Sequence, residues 1–407
     1  MPDELLTVDD LNVDGRRVLL RADLDVPLRQ DDAAGVKRVA DDSRIRAALP
    51  SIEELSRLGA RLVLISDLGR PRGREVALSM RPVAEHLARL TGAAVRLAPA
   101  VVGREVRELT QALAPGEMLM LENARFEAGE TRNDPALSSE LAELGDLYVD
   151  DAFADAHRAL ASNEGVARRL RAAAGRLMER EVRALRTITD DPERPLVAVL
   201  GGVTVAEQIA LLRRLLQLVD VLCIGGQMCL PFLVASGHSP PDTRCPPEDV
   251  ELARLALTEA TASGCTVELP RDLMLAPRPE QAISVRPGAL DPAEGYEGLD
   301  VGRATVHRFS AEIAAAATVY WDGPMGNLED PLAAGTRALA RAVASSAART
   351  VVAGEEAVQV LKSLRLAGYV THVSSGNGAT RAFLQGRELP AVKVLLRDRP
   401  KRGAEPG

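Results

Sequence analysis

Short apolar runs alternate with longer amphipathic segments along the chain. In the first half, five such runs are predicted to be β-strands, at residues 17–24, 61–66, 94–98, 118–123 and 147–151. Between them, the stretches 44–59 and 81–92 repeat apolar residues at the spacing of one helix face. Continuously apolar strands that alternate with helices are typical of a parallel sheet covered on both faces. The pattern therefore predicts an α/β fold.

The second half repeats this pattern with one addition, a glycine at the end of each apolar run. A helical pattern follows each of these runs, which lie at residues 195–202, 219–226, 318–324, 350–355 and 370–378. Ligands of open parallel sheets bind beyond the carboxyl ends of the strands, where glycine allows the backbone to approach closely. Helix N-termini at the same edge offer free N–H groups to anions. These junctions predict a nucleotide or phosphate site.

The length of 407 residues favours two domains, because single hydrophobic cores stop growing at about 250–300 residues. Residues 158–190, rich in Ala, Arg, Leu and Glu, are predicted to be helical and to connect the halves. We predict two doubly wound parallel-sheet domains, 1–170 and 191–385, joined by a hinge helix at 171–190. Residues 386–407 are expected to return towards the first domain and to end in a polar tail.

Composition excludes several function classes. The net charge of −8 argues against general nucleic-acid binding, which needs a basic face. The N-terminus lacks a basic segment followed by an apolar one, and no window approaches the ~18 apolar residues of a membrane span. We therefore expect a cytoplasmic protein with a small-molecule partner, without a nucleic-acid partner and without membrane association.

Arginines accumulate at the predicted strand ends of the first half. The five residues at or shortly after these ends are Arg21, Arg44, Arg70, Arg125 and Arg158. A guanidinium presents a planar fork of donors that matches the oxygens of a carboxylate or a phosphate. Any one of these arginines alone is typical of a surface ion pair. Together, at an edge where side chains converge, they predict an anion site.

The motifs that contain these residues resemble those of phosphoglycerate kinases. The matching segments of the first half are RADLDVPL, DDSRIRAALPSI, SDLGRPRG, LENARF and DAFADAHRA. The second half continues in the same order with LGGVTVAEQI, IGGQM, GLDVG, WDGPMGNLE and SSGNGA. The resemblance, from about residue 10 to residue 393, implies two Rossmann-like domains that bind 3-phosphoglycerate and ADP or ATP with Mg²⁺. It implies hinge closure, phosphoryl transfer between 1,3-bisphosphoglycerate and ADP in glycolysis, and a monomer.

The same resemblance assigns the site residues. Arg44 is the predicted catalytic residue of the first domain. The predicted substrate-binding residues are Arg21, Asp23, Asp25, Asp67, Arg70, Arg125, His157 and Arg158. The predicted nucleotide-binding residues are Gly201, Gly202, Gln208, Gly225, Gly226, Asp322, Pro324, Glu329, Gly354 and Gly376, with Glu329 at the ribose hydroxyls. Glu356 stands at the position of the metal-linked aspartate and is the predicted metal ligand.

The second half departs from the family pattern where the family holds the moving phosphate. The family's GGAKVSDKI is GGVTVAEQI here, so that Thr204 and Gln208 occupy two lysine positions. Only four of the 50 basic residues are lysine, and none of these lies between positions 38 and 361. Arg213 and Arg214 follow too far along the predicted helix to face the same ligand. We therefore count two positive charges as lost.

The glycine-rich turns of the second half have gained acidic and larger side chains. The family's GGGDT or GGGDS is AGEEA here, which places Glu355 at a glycine position. WNGP has become WDGP through Asp322, and STGGGA has become SSGNGA through Asn377. Phosphoryl transfer depends on positioning and on charge stabilisation, and removal of one stabilising group typically costs on the order of 10² to 10³ in rate. The sequence thus predicts weakened phosphoryl transfer.

The first half keeps its arginines but changes their polar neighbours. Aspartate replaces asparagine, histidine or another neutral residue of the family pattern at Asp25, Asp67, Asp150 and Asp155. Two interpretations stay open. The site is retuned for a ligand that carries both anionic and cationic groups, or the aspartates pair with the arginines of an empty site.

Three functions are consistent with these features. The first is a working phosphoglycerate kinase. The second is a diverged enzyme that acts on another carboxylate or phosphate. The third is a catalytically silent protein that binds a metabolite or a protein partner.

Overall fold

The computed structural model describes residues 4–31, 36–202, 204–240, 245–277, 286–291, 296–328 and 333–397. These residues form two compact units. Unit 1 runs to Val182 and resumes at Glu388, whereas unit 2 is Arg183–Arg387. Each unit is built on a six-stranded parallel sheet, which confirms the predicted α/β fold of two Rossmann-like domains. Within the described ranges, no helix is both long and apolar enough to cross a membrane.

Unit 1 contains one large sheet, one hairpin and surrounding helices. Its strands are β1 (Arg17–Arg21), β2 (Leu28–Asp31), β3 (Val36–Val39), β4 (Arg61–Ile65), β5 (Val95–Leu97), β6 (Met118–Met120), β7 (Leu147–Asp150) and β8 (Arg171–Ala174). Its first helices are α1 (Ser43–Arg57), α2 (Arg81–Thr91), α3 (Arg104–Gln111) and α4 (Pro135–Ala142). The antiparallel pair of β2 and β3 stands apart from the large sheet.

The large sheet of unit 1 has the order β5-β6-β4-β1-β7-β8, and all its strand pairs are parallel. Its central strands are apolar because both faces are covered, and Leu19, Leu20, Leu62 and Val63 have no exposed surface. All five runs predicted as strands in this half form strands. From β1 the chain builds first on the β4 side and then on the β7 side. Such a change in the side on which strands are added opens a crevice at the carboxyl ends of the strands.

Unit 2 repeats this design and adds a small antiparallel sheet. After α5 (Arg176–Thr189), which carries the boundary between the units, its strands are β9 (Leu196–Leu200), β10 (Val221–Ile224), β11 (Thr266–Glu268), β12 (Leu273–Pro277), β13 (Arg286–Gly288), β14 (Tyr296–Val301), β15 (Thr318–Asp322), β16 (Arg349–Ala353) and β17 (His372–Val373). Its helices are α6 (Val205–Leu218), α7 (Cys229–Ala235), α8 (Pro247–Ser263), α9 (Arg303–Ala315), α10 (Ala334–Ser345), α11 (Glu355–Ser363) and α12 (Gly378–Leu384). The last helix, α13 (Pro390–Lys393), belongs to unit 1.

The parallel sheet of unit 2 has the order β11-β10-β9-β15-β16-β17. From β9 the chain adds β10 and β11 on one side and then β15 on the other, so β9 and β15 are parallel neighbours in the sheet although they are distant in the sequence. All five runs predicted as strands in this half form strands. The crevice that this change of side opens lies at the carboxyl ends of β9 and β15, where glycines follow both strands.

The helical prediction for residues 158–190 is wrong at Arg171–Ala174, which form strand β8, although Ala161–Gly165 are helical. Strand β8 pairs in parallel with β7 at the edge of the unit 1 sheet, and Ala173 and Ala174 are fully buried there. Alanine favours helices intrinsically, but pairing and burial in a sheet outweigh this preference. The helix begins only at Arg176, so the connecting element is shorter than the predicted 171–190.

Candidate functional site

The arginines of unit 1 meet several aspartates at the carboxyl ends of its strands. Arg21 is the last residue of β1, Asp67 follows β4, and Arg125 follows β6. We call the group formed by Arg21, Arg44, Arg125, Arg158, Asp23, Asp67 and Asp155 the arginine–aspartate cluster. Parallel strands end at one edge of the sheet, and therefore residues far apart in the sequence converge here.

Asp67 joins two arginines of this cluster. Its Oδ1 accepts a hydrogen bond from Arg21 Nη2 at 2.5 Å, and its Oδ2 lies 2.7 Å from Arg125 Nη2. Burial by itself would raise the pKa of Asp67, but the charges of Arg21 and Arg125 hold it below its ordinary value. Asp155 completes the set, 2.9 Å from Arg21 and 3.8 Å from Arg158. Asp67 and Asp155 therefore both pair with arginines of the cluster.

Arg21 lies beneath the cluster and not on its surface. The side chain is 0% exposed, and its Nε and Nη1 are buried without a hydrogen-bond partner in the described part of the chain. Arg21 therefore supports the cluster by holding Asp67 and Asp155. Its assignment to substrate binding stays a prediction.

Arg44 is the most accessible arginine that an aspartate of the cluster holds firmly. It lies in the first turn of α1, and its Nη1 donates to both oxygens of Asp23 at 3.0 and 3.1 Å. The Arg44 side chain is 40% exposed, whereas Asp23 is buried. Burial raises the pKa of Asp23 to about 6, although Arg44 opposes the shift. A fixed but accessible guanidinium suits an anionic ligand.

The other predicted substrate-binding residues of unit 1 are Asp25, Arg70, His157 and Arg158, and they differ in exposure. Asp25 accepts a hydrogen bond from the Gly69 backbone N–H at 2.8 Å and so shapes the turn before Arg70. Arg70 and Arg158 are exposed, and His157 is half-buried beside Arg158. Asp25 thus supports the loop that carries Arg70, and both arginines are open to solvent.

Asp150, at the end of β7, is a buried carboxyl group beside the cluster. Its Oδ1 accepts the Ala152 N–H at 3.0 Å, whereas its Oδ2 has no partner in the described part of the chain. Burial raises the pKa of Asp150 to about 7, and Ala152 and Arg21 offset only part of that effect. The folded state therefore retains a proton that the unfolded chain has lost between about pH 4 and pH 7.

Asp150→Asn is expected to stabilise the protein more at pH 8 than at pH 5. Because the raised pKa belongs to the folded state, the wild-type protein loses stability as pH rises through this window, and the neutral amide does not. The gain in unfolding free energy should be about 2 kcal/mol larger at pH 8 than at pH 5, measured by urea denaturation. Asp14→Asn removes the same charge from an exposed position and should change both values alike. An equal gain for Asp150→Asn at both pH values would contradict the assignment.

The pocket of unit 2 lies at the carboxyl ends of β9, β10 and β15, and it encloses about 280 Å³. The predicted nucleotide-site residues that line it are Gly201, Gly202, Gln208, Gly226 and Pro324, and the predicted metal ligand Glu356 lines it as well. The predicted residues Gly225, Asp322, Gly354 and Gly376 do not line the pocket, although the first three pack against its loops. Glu329 lies outside the described residues.

Two glycines of this pocket are required by contacts between its own loops. A Cβ atom on Gly201 would lie 1.9 Å from the carbonyl oxygen of Pro324. Gly226 has a φ of 68°, and a Cβ atom there would lie 2.7 Å from the Gly202 nitrogen. The glycines therefore allow the loops after β9, β10 and β15 to pack against each other.

The two residues at the lysine positions have different environments. Thr204 is the N-cap of α6, and its Oγ1 accepts a hydrogen bond from Glu207 N–H at 3.3 Å. Gln208 lies one turn later with only 5% exposure and lines the pocket. Its Oε1 is buried without a hydrogen-bond partner in the described ranges. Thr204 thus serves its helix, whereas Gln208 faces the pocket.

The sequence analysis missed one basic residue of the pocket, Arg381 of α12. Its Nε and Nη2 donate to the two oxygens of Asp322, both at 3.0 Å. Asp322 is 0% exposed and also accepts a hydrogen bond from the hydroxyl of Tyr320. The hydrogen bond to Asp322 raises the pKa of the Arg381 guanidinium further. Asp322 is therefore no uncompensated negative charge, because Arg381 balances it.

The pocket suits a metal ion only together with a ligand. Glu356 is exposed, and within the described residues no group of three His, Cys, Asp or Glu side chains is placed to hold a metal ion. Mg²⁺ in nucleotide sites is usually bound by one or two carboxylates together with phosphate oxygens and water. Glu356 fits that role for a nucleotide-bound Mg²⁺.

Proteins that are similar to this chain along nearly its whole length are phosphoglycerate kinases. A family model described as phosphoglycerate kinase matches residues 8–387. Phosphoglycerate kinases of Desulforudis audaxviator and Moorella thermoacetica are each 43% identical to this chain, over 96% of it and 98% of each relative. The structure of phosphoglycerate kinase from Coxiella burnetii is similar with a TM-score of 0.87 and 35% identity, over 96% of this chain and 99% of that one. The Pyrococcus horikoshii structure has a TM-score of 0.78 at 27% identity, over 96% and 98%.

Proposed function

The chain belongs to the phosphoglycerate kinase family, and from this we propose that it transfers a phosphoryl group between 1,3-bisphosphoglycerate and MgADP, more slowly than relatives that keep the two lysines. One observation carries the proposal. In each unit, several of the predicted ligand residues lie at the carboxyl ends of the parallel strands, where the strand order reverses.

In unit 1, Arg44 is the residue that we assign to the phosphoglycerate. Asp23 engages only its Nη1, which leaves the donors on Nε and Nη2 for a phosphate or carboxylate oxygen. The exposed Arg70 and Arg158 suit the same anion. Arg125 is less available, because Asp67 and the carbonyl oxygen of Gly69 already accept its hydrogen bonds.

In unit 2, the glycine-lined pocket is assigned to the nucleotide. In the direction of ATP synthesis, an oxygen of the terminal ADP phosphate attacks the acyl phosphate. The bond from phosphorus to the carboxyl oxygen breaks, and 3-phosphoglycerate leaves as a carboxylate. Mg²⁺, when bound, neutralises part of the phosphate charge. The protein contributes positioning and positive charge, and it is the charge that Thr204 and Gln208 do not provide.

The turnover number is expected to be roughly 10²-fold or more below that of a phosphoglycerate kinase that keeps both lysines. The reason is the absence of an ammonium group at Thr204 and at Gln208, beside the phosphate that moves. Turnover is measured with 3-phosphoglycerate and MgATP in a coupled assay, with both enzymes at the same ionic strength.

Two results of this assay would count against the proposal in different ways. Turnover within tenfold of that phosphoglycerate kinase would contradict the predicted weakening. An absence of turnover, together with an absence of MgADP binding in calorimetry, would contradict the kinase function itself and favour a silent binding protein.

A second candidate follows from the position of Asp67. Its carboxylate pairs with both Arg21 and Arg125 and offsets part of their positive charge. A site with this added negative charge favours a ligand that carries an ammonium group besides its anionic groups. An amino-bearing phosphate is therefore the alternative substrate class. A larger thermal shift with O-phosphoserine than with 3-phosphoglycerate supports this candidate, and the reverse order supports the first.

A further inference from the structure

All but one of the charged side chains that line the unit 2 pocket, within the described residues, are acidic. Its charged lining residues within the described ranges are Glu207, Asp300, Glu356 and Arg381. Asp300 is buried and accepts hydrogen bonds from Thr336, so it does not face the ligand as a free charge. An anionic ligand in this pocket thus meets a single described basic side chain, Arg381.

Arg381 is held in place from below. The buried Asp322 binds two of its nitrogens in a bidentate pair, and the Tyr320 hydroxyl donates to the same carboxylate at 3.0 Å. The Arg381 side chain nevertheless remains 38% exposed. An arginine fixed in this way loses little conformational entropy when it binds a ligand.

The pair leaves part of the guanidinium available. Nε and Nη2 donate to Asp322, whereas Nη1 donates to no group in the described part of the chain. A guanidinium carries five N–H donors in one plane, and its second edge matches the oxygens of a phosphate. The ion pair therefore anchors Arg381 without consuming its capacity to bind an anion.

A second group in the same pocket points to a ligand. The Gln208 amide is almost fully buried, and its Oε1 has no donor among the described residues. Buried polar atoms of native proteins seldom lack a partner unless water, an ion or a ligand supplies one. The N–H donors of Arg381 suit the phosphate oxygens of a nucleotide, and the acceptor oxygen of Gln208 suits its Mg²⁺.

We propose that Arg381, anchored by Asp322, binds the phosphate oxygens of a nucleoside diphosphate in the unit 2 pocket. Its charge is balanced by Asp322, and what it offers the phosphates is the N–H donors of its second edge. The proposal rests on the proposed function, in which this pocket holds the nucleotide. Asp322 and Arg381 then act as a pair, because Asp322, which stands where the family has asparagine, holds Arg381 in place.

The test compares wild-type protein with the double variant Asp322→Asn/Arg381→Leu, by calorimetry with MgADP and with adenosine. The double variant removes both charges, because Arg381→Leu alone would leave Asp322 buried without a counter-charge and risk unfolding. We expect the Kd for MgADP to rise roughly tenfold or more, and the Kd for adenosine to change less than about twofold. Arg341→Leu, on the exposed face of α10, is the matched control and should leave both constants unchanged.

The outcomes separate this inference from the function on which it rests. Wild-type binding of MgADP with an unchanged Kd in the double variant overturns the role of Arg381 and leaves the nucleotide site intact. Equal weakening for MgADP and adenosine also overturns it, since that result reports a distorted pocket. An absence of MgADP binding by the wild-type protein overturns the proposed nucleotide site and this inference together.

Discussion

The double variant Thr204→Lys/Gln208→Lys is expected to raise the turnover number with 3-phosphoglycerate and MgATP by roughly 10²-fold or more. Gln208 lies in the pocket next to the Gly202 backbone, so a lysine there places an ammonium group where the phosphates are assigned. The loss of the Thr204 cap costs α6 about 1 kcal/mol, which is small beside the gain in transition-state stabilisation. The turnover number is measured in the same coupled assay as for the wild-type protein.

Gln217→Lys serves as the control for this variant. Gln217 lies on the exposed face of the same helix, so the substitution adds the same charge away from the pocket. We expect no change in the turnover number of the control, and a smaller gain for Gln208→Lys alone than for the pair. If the double variant folds, binds MgADP and still turns over at the wild-type rate, the lysine positions do not explain the weakened chemistry.

Arg21→Met is expected to lower the free energy of unfolding by about 3 kcal/mol or more. Arg21 is fully buried between Asp67 and Asp155, and its removal leaves two poorly solvated carboxylates that repel each other. Among the described residues, Asp67 then keeps the pair with Arg125, and Asp155 keeps the more distant Arg158. Urea denaturation followed by far-UV circular dichroism gives the change.

Two further variants separate charge from packing in this measurement. Arg46→Met removes an exposed arginine that pairs with Asp42 on the surface of α1, and it should leave the unfolding midpoint nearly unchanged. Arg21→Met/Asp67→Asn removes a buried charge of each sign, and it should be less destabilised than the sum of the single variants. Strict additivity would show that Arg21 stabilises unit 1 through packing alone.

The sequence determined the fold because its signals are local. A strand covered on both faces needs an unbroken apolar run, and all ten predicted runs form strands of the two parallel sheets. Glycine directly after a strand likewise marks the loops of the unit 2 pocket, where Gly201 and Gly226 allow no side chain. The family motifs lie on the same strands and loops, so they located both candidate sites.

Local patterns do not describe residues whose environment is set at long range. Strand β8 has a helix-forming composition, and only its pairing with β7 makes it a strand. Likewise, the buried position of Arg21 follows from the elements that close over β1 and not from its place after an apolar run.

Charge partners are the clearest case of what only the tertiary structure decided. Asp322 and Arg381 are 59 positions apart, and Arg21 and Asp67 are 46 apart, so no local pattern predicts either pair. In the sequence alone, Asp322 counts as an added negative charge at the phosphate site. In the structure it forms an ion pair with Arg381, whose side chain lines the pocket. Coulombic interaction depends on distance in space and on burial, and folding sets both. The sequence therefore determined where the two sites lie, and the tertiary structure decided which charges each site presents to a ligand.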